Sequence, residues 1–250
     1  MKKRKHIITS PVLFFSAAAV LLLLSTVGST RAALTYYSDS YEMNVEVSSI
    51  GVSLLENGTI ISNRNYTEQG WVSNHVGEDG EPRGILLEGR FQGDEKLVPG
   101  KQYEETLSVQ NSGQIDSYVR VILYRSWADA AGRRDTRLNP ELIHLDGLGE
   151  TGNGWIVDES ASTKERTVLY YQRPLAQGEE TSLLCTGLRI DPEVLKKAET
   201  ENGQTSYLYN GYRFFLEAEV DAVQTHNAED AIKSAWGVDV SIGEDKSLHL

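Results

Sequence analysis

Hydrophobic and polar residues alternate with a period of two over most of the chain beyond residue 42. In "YRFFLEAEVDAVQ", Tyr212, Phe214, Leu216, Ala218, Val220 and Ala222 fall on one side, and Arg213, Glu217, Glu219 and Asp221 on the other. Successive side chains of a strand point to opposite faces, so the pattern predicts a long strand with one dry and one wet face. "SYVRVILYRSW" is apolar at both parities, which predicts a strand buried on both faces. "MNVEVSSIGVSLLE" places Met43, Val45 and Val47 on one side and then, after a shift, Ile50, Val52 and Leu54. "EETLSVQN" alternates Leu107 and Val109 with Ser108 and Gln110, and "TVLYYQR" and "TSLLCTGLRI" predict two further strands.

Turn residues punctuate these runs. Pro99-Gly100 fits the centre of a type II turn, because Pro presets φ and Gly accepts a positive φ. Asn111-Ser112-Gly113 separates two strong strands at hairpin-like spacing. Two segments predict short helices. "DPEVLKKAETENG" has Asp191 as N-cap, Pro192 at the first helical position and Asn202-Gly203 as the stop. "NAEDAIKSAWG" has Asn227 as N-cap, Asp230 three residues on, and Gly237 as the stop. Neither helix alternates regularly with strands, which argues against a parallel βαβ fold. The predicted class is all-β: an antiparallel, jelly-roll-like β-sandwich with two short helices and long loops, following an N-terminal signal helix. Residues 56–84 and 128–165 are polar, Gly-rich and weakly periodic, and they read as insertions into a sandwich domain of residues 43–250.

The first 42 residues follow other rules. Lys2, Lys3, Arg4 and Lys5 precede the apolar run "VLFFSAAAVLLLLSTVG", which dissolves into Ser, Thr and Gly. The run is shorter than the ~20 apolar residues that a spanning helix needs. Charged start, apolar centre and small residues make a secretory signal over residues 1–32, cut after Ala32, with an N-terminal arm at 33–42. The alternative is a retained anchor that tethers the rest of the chain outside the cell. Cleavage changes the charge balance. Losing the five basic residues of the leader from 24 leaves 19 basic against 36 acidic side chains, a formal charge of −17 on the 218 residues that remain of 250. Such a field repels nucleic acid and anionic lipid alike, so neither is an expected partner, and membrane contact is expected only through an uncleaved signal. Cys185 is the single cysteine, so there is no internal disulfide, and its apolar setting reads as a small core residue. Asn57 and Asn65 stand in Asn-x-Thr sequons, which matter only in a eukaryotic host.

Candidate chemistry is sparse. "GLGETG" spaces Gly147, Gly149 and Gly152 as a phosphate cradle would, but "NGWIVDE" follows, a turn and a strand instead of the helix whose N-terminus would hold the phosphate. His75, Glu78 and Asp79 form the nearest approach to a metal-binding group, on a Gly-containing stretch; His144, His226 and His249 are scattered, and no H-E-x-x-H occurs. There is no EF-hand spacing and no G-x-S-x-G. Tyr36, Tyr37, Trp71, Trp127, Tyr170, Tyr171 and Trp236 offer ring surface for a carbohydrate or a partner, and read more simply as strand and core residues. No catalytic, cofactor-binding or metal-binding residue is assigned, and no cofactor is expected.

The stretch around the cleavage point carries a resemblance. "GSTRAALTYYSDS" resembles the processing region of Gram-positive exported proteins cut by the signal peptidase SipW: Thr30, Ala32 and Ala33 at the cut, then Leu34, then Tyr37, Ser38, Asp39 and Ser40. "VSSIGVSLLENG", "LVPGKQYEETLSVQNSGQIDSYVRVIL", "LAQGEETSLL" and "EVDAVQTHNAEDAIKSAWG" resemble segments of the TasA/camelysin family, in particular its clostridial members. The resemblance implies a jelly-roll sandwich, secretion to the cell surface or biofilm matrix, a SipW-type peptidase as processing partner, and self-association or assembly with a homologous matrix subunit. It further implies fibres in which an N-terminal strand completes the sheet of the next subunit. Here the donor would be the arm, with Ala33, Leu34, Tyr36, Tyr37 and Tyr41 as its contact residues. Two alternatives stand beside the structural protein. Camelysin-like members carry a metallopeptidase label, for which this sequence offers no ligand motif, so the chain is expected not to be an enzyme. The other is a monomeric surface adhesin. No apolar tail follows Trp236, and covalent wall attachment is not expected.

Overall fold

The computed structural model describes Phe15 and residues 49–67, 70–73, 83–88, 97–196, 198–201 and 204–250. The chain divides into two units, Met1–Val47 and Ser48–Leu250, and apart from Phe15 the described residues belong to the second. Apart from Phe15, the predicted leader, the arm and the start of the first predicted strand lie outside them.

Two antiparallel sheets face each other. The six-stranded sheet runs in the order β3 (Gly70–Ser73), β2 (Thr59–Thr67), β1 (Gly51–Glu56), β5 (Gln102–Gln110), β10 (Cys185–Ile190), β7 (Ile143–Asp146). The five-stranded sheet runs β4 (Gly84–Ile85), β13 (Arg213–Gln224), β6 (Ser117–Ala128), β9 (Arg166–Tyr171), β8 (Trp155–Val157). The pairs β8·β9, β7·β10, β6·β13 and β5·β1 fall alternately in the five-stranded and the six-stranded sheet. One long antiparallel ribbon rolled up on itself produces that alternation, which is the jelly-roll arrangement. The N-terminal β1 closes the roll beside β5.

The period-two reading holds on its strongest strands. Val119, Val121 and Leu123 of β6 and Leu216, Ala218, Val220 and Ala222 of β13 line the space between the sheets, where they meet Val52 and Leu54 of β1 and Leu107 and Val109 of β5. Each such side chain contributes about 1.5–3 kcal/mol by leaving water. The other parity of β6 is buried too, as predicted, because a third layer covers it. Tyr118 and Ile122 pack with Val168, Tyr170 and Val223 against Ala228 and Ile232 of helix α1 (Ala228–Trp236) and Leu248 of β15 (Leu248–His249). β15 pairs with β14 (Ser241–Ile242), and the hydroxyl of Tyr118 donates to the carbonyl of Lys246 at 2.9 Å, which fastens this cap to the sheet.

Five details differ from expectation. Pro192 does open a helix, with Asp191 accepting from the Glu193 amide, but only as one 3₁₀ turn, Pro192–Leu195. The rest forms a hairpin, β11 (Ala198–Glu201) with β12 (Gln204–Tyr207), in which Glu201 pairs with Gln204, and the predicted stop Asn202-Gly203 lies outside the described residues. An Asn-Gly pair serves a two-residue hairpin as well as a helix stop. Helix α1 starts and stops where predicted, yet Asn227 makes no capping bond and sits at φ 49°, while Gly237 at φ 73° closes the helix onto the carbonyl of Lys233. Asn111-Ser112-Gly113 is no hairpin turn: β5 and β6 lie in different sheets, so this segment crosses between them. Part of the 56–84 stretch is strand, β2 and β3, turned at Asn57 and Gly58, whose φ values of 50° and 77° suit a type I′ turn. Residues 128–165 include β7 and β8, which are structural members of the roll. Their lengths of four and three residues are too short to register as periodic.

Candidate functional site

One of the two longest strands of the sandwich, β13, has an uneven edge. β13 pairs with β6 along its whole length, from Arg213 opposite Ala128 to Gln224 opposite Ser117. On its other side β4 pairs with Glu217 and Ala218 alone. The carbonyl of Leu216 accepts from the Leu86 amide at 3.0 Å, so the even-numbered residues of β13 turn their main chain toward this side. At Val220 and Ala222 no main-chain partner stands on that side among the described residues. A strand edge of this kind is a template for pairing with another chain.

Beside this edge sits a charged group that the alternation misrepresents. Asp221 belongs to the face expected to be wet, but it is 6 % exposed. Its Oδ1 accepts from Arg64 of β2 and its Oδ2 from Arg120 of β6. Arg64 also lies 3.7 Å from Glu219, which accepts from the Tyr124 hydroxyl at 3.4 Å. Aromatic rings cover the guanidinium groups: Trp71 lies 5.0 Å from Arg64, Trp236 5.2 Å from Arg120, and Tyr124 4.2 Å from Arg83. Burial pulls Arg120 below its ordinary pKa, with the neighbouring Tyr170 and Glu219 working against the shift. Burial also raises Tyr170 and, with Glu219 adding to it, Tyr124. Removing one member of a buried ion pair costs about 3–5 kcal/mol, because it strands the charge that remains. Nothing in the local sequence announces Arg64 or Arg120. The clue available was only that one face of β13 carries three acids.

A cleft of about 1220 Å³ opens where β13 begins and β6 ends, lined among others by Ile85, Trp127, Leu195, Tyr207, Tyr209 and Phe214. Trp127 stands edge-on to Tyr209 at 4.9 Å and to Phe214 at 6.2 Å, and its ring nitrogen donates to Asn139. A smaller polar cleft holds Arg125, His144, Asp146, Glu159 and Lys164. Three acceptors occupy Arg125: the carbonyls of Lys164 and Ile143 and the hydroxyl of Thr167. His144 lies 3.1 Å from Asp191, whose carboxyl is held below the usual range first by the Glu193 amide and then by His144. No hydroxyl or thiol bonds to His144 among the described residues. At the end of the chain, Ser247 Oγ sits 2.5 Å from Asp245 and 2.8 Å from His249. The carboxylate is on the hydroxyl instead of on the imidazole, which is the wrong order for activating a nucleophile.

The residues singled out from sequence scatter. Thr30, Ala32, Ala33, Leu34, Tyr36, Tyr37 and Tyr41, and likewise His75, Glu78 and Asp79, lie outside the described residues. Among the described residues no three His, Cys, Asp or Glu side chains are grouped to hold a metal ion, and no helix is long and apolar enough to cross a membrane. Gly147, Gly149 and Gly152 all have positive φ in the turns between β7 and β8, and a strand follows them. Cys185 is buried and donates to the carbonyl of Glu105 at 3.3 Å. Trp127, Trp155 and Tyr170 are core residues, whereas Trp71 is exposed on the edge strand β3. Compared with protein-family models, with curated proteins and with solved structures, the chain matches none of them.

Proposed function

We propose that this chain is a secreted structural subunit of a cell-surface or matrix fibre, assembled by strand addition between copies. The observation that carries it is the edge of β13, where the main chain of Val220 and Ala222 faces away from β6 beyond the short β4. The donor is the arm from Ala33 to Tyr41 of a neighbouring copy. Its Leu34, Tyr36, Tyr37 and Tyr41 gain nothing as a free tail in water, and pairing with an edge satisfies both main chains while burying alternate side chains. We assign the chain no reaction.

The test is negative-stain electron microscopy of the purified chain beginning at Ala33, concentrated at neutral and mildly acidic pH. The formal charge of −17 on that chain opposes self-association, so mild acid favours assembly. Regular fibres are expected from it, and dispersed particles from a chain beginning at Glu42. Fibres from both would remove the arm from the mechanism. Dispersed particles from both would favour the second reading, a monomeric adhesin. The aromatic cleft around Trp127 and Tyr209 is the observation in that reading's favour.

A further inference from the structure

Arg64 and Asp221 belong to different sheets and point in directions that do not simply face each other. Arg64 is paired with Val52 across β1 and β2, and cross-strand partners share a face, so its side chain leaves the six-stranded sheet toward the sandwich interior. Val220 and Ala222 of β13 point into that interior, so Asp221 between them points out of the sandwich, where it meets Arg120. The Arg64 guanidinium therefore reaches Asp221 by passing outside the edge of β13. That lane is where an added strand would lie, since paired strands run ~4.8 Å apart. Its position is reinforced from two sides, by the Trp71 ring and by Glu219.

We propose that Arg64 is a guard on the β13 edge: while it is bonded to Asp221 it blocks pairing beyond Ala218, and it must swing aside before a strand can be added. This rests on the strand-addition reading above and specifies how that same edge is regulated. The bonding pattern makes such a swing feasible. Asp221 divides its two oxygens between two arginines, so when Arg64 leaves, Arg120 still neutralises the carboxylate. The displaced guanidinium keeps its seat beside Trp71 on its own hairpin. A charged side chain at a strand edge is a general device against premature pairing, and here it is held in place by an acid on the strand it protects.

The experiment uses the chain from Glu42, whose β13 edge no neighbour's arm fills, a fluorescent peptide spanning Ala33 to Val47, and three forms: unaltered, Arg64→Met and Arg64→Lys. Peptide capture is followed by fluorescence anisotropy, and folding by thermal unfolding. Arg64→Met is expected to capture the peptide about tenfold faster, the rate change for removing a barrier of ~1.4 kcal/mol, with Arg64→Lys in between. Equal capture rates in folded Arg64→Met and unaltered chain would overturn the guard while leaving strand addition in place. Failure of both to capture peptide, together with failure of the chain from Ala33 to form fibres, would overturn strand addition itself. If Arg64→Met does not fold, Asp221→Asn loosens the same guanidinium and carries the same expectation, with unaltered capture counting against the guard.

Discussion

Gly113 and Gly51 meet backbone to backbone: the amide of Gly113 donates to the carbonyl of Gly51 at 3.1 Å, and the Ser112 amide does the same at 3.1 Å. The crossover from β5 to β6 is seated on β1 at this point. Asn111 at the head of the crossover is fully buried and donates to the carbonyls of Ile115 and Leu175, so the segment is tied down along its length. A Cβ on Gly113 would stand 2.4 Å from the Gly51 nitrogen and 2.6 Å from the Ser49 carbonyl oxygen, both of them backbone atoms that cannot rotate away. Gly113→Ala is expected to cost about 3 kcal/mol through overpacking. Urea denaturation at neutral pH measures it, and a loss under about 1 kcal/mol would mean that the crossover moves freely off β1.

Acid should loosen the fold below the ordinary carboxylate range. Asp129 is held low first by bonds from Arg133, Asp135 far below that range by Arg137, Asp191 first by the Glu193 amide, and Asp245 first by the Ser247 hydroxyl. A carboxyl whose pKa is depressed by folding stabilises the native state above its unfolded value, near 3.9, and loses that contribution as pH falls through the folded value. The urea midpoint is therefore expected to be level from about pH 5 to 8 and to fall below about pH 4, and Asp135→Asn should flatten part of the fall. A midpoint that rises on acidification from pH 5 to 3 would mean that relief of net negative charge outweighs these four bonds.

How much of this was legible in the sequence depends on the length of each strand and on what lies behind it. β6 and β13, each of 12 residues, declare themselves because alternation has room to repeat. β7 and β8 do not, although the roll depends on them equally. The Asn202-Gly203 pair was ambiguous in principle, since a helix stop and a hairpin turn ask for the same residues. The charged edge was illegible for another reason. Alternation tells which face Asp221 is on but not what covers that face, and Arg64 lies 157 positions away in the chain.

Cys185 should be inert in the native state. Burial, with the Glu105 charge adding to it, pushes its thiol up to about 12. Only the thiolate attacks, and the sulfur is shielded from reagent as well. A thiol-specific disulfide reagent at pH 8 is expected to leave the folded chain unlabelled and to label one equivalent in denaturant. Rapid labelling without denaturant would mean that β10 opens away from β5 far more often than a core strand should.

The β1–β2 turn offers a sharper test, because one amide there does two jobs. Asn57 Nδ2 donates to the buried carboxylate of Glu105 at 3.3 Å, and its Oδ1 accepts from the Thr106 amide at 3.0 Å. At φ 50° the residue is also in the left-handed region, which glycine tolerates. Asn57→Gly therefore keeps the turn and loses the side-chain bonds, an expected cost of about 2 kcal/mol that is nearly constant from pH 5 to 8. Asn57→Asp keeps the shape and the acceptor oxygen but sets a second carboxylate against Glu105. Two carboxylates in one site do not both ionise readily, so the folded variant takes up a proton that the unfolded chain releases. A raised folded pKa makes the variant lose stability as pH rises above the unfolded value: its cost should exceed that of Asn57→Gly at pH 8 and shrink toward it at pH 5. Urea titrations of both variants across that range separate the two effects. If the Asn57→Asp curve runs parallel to the Asn57→Gly curve, the amide is a spacer for the turn and the carboxylate of Glu105 is held by other groups.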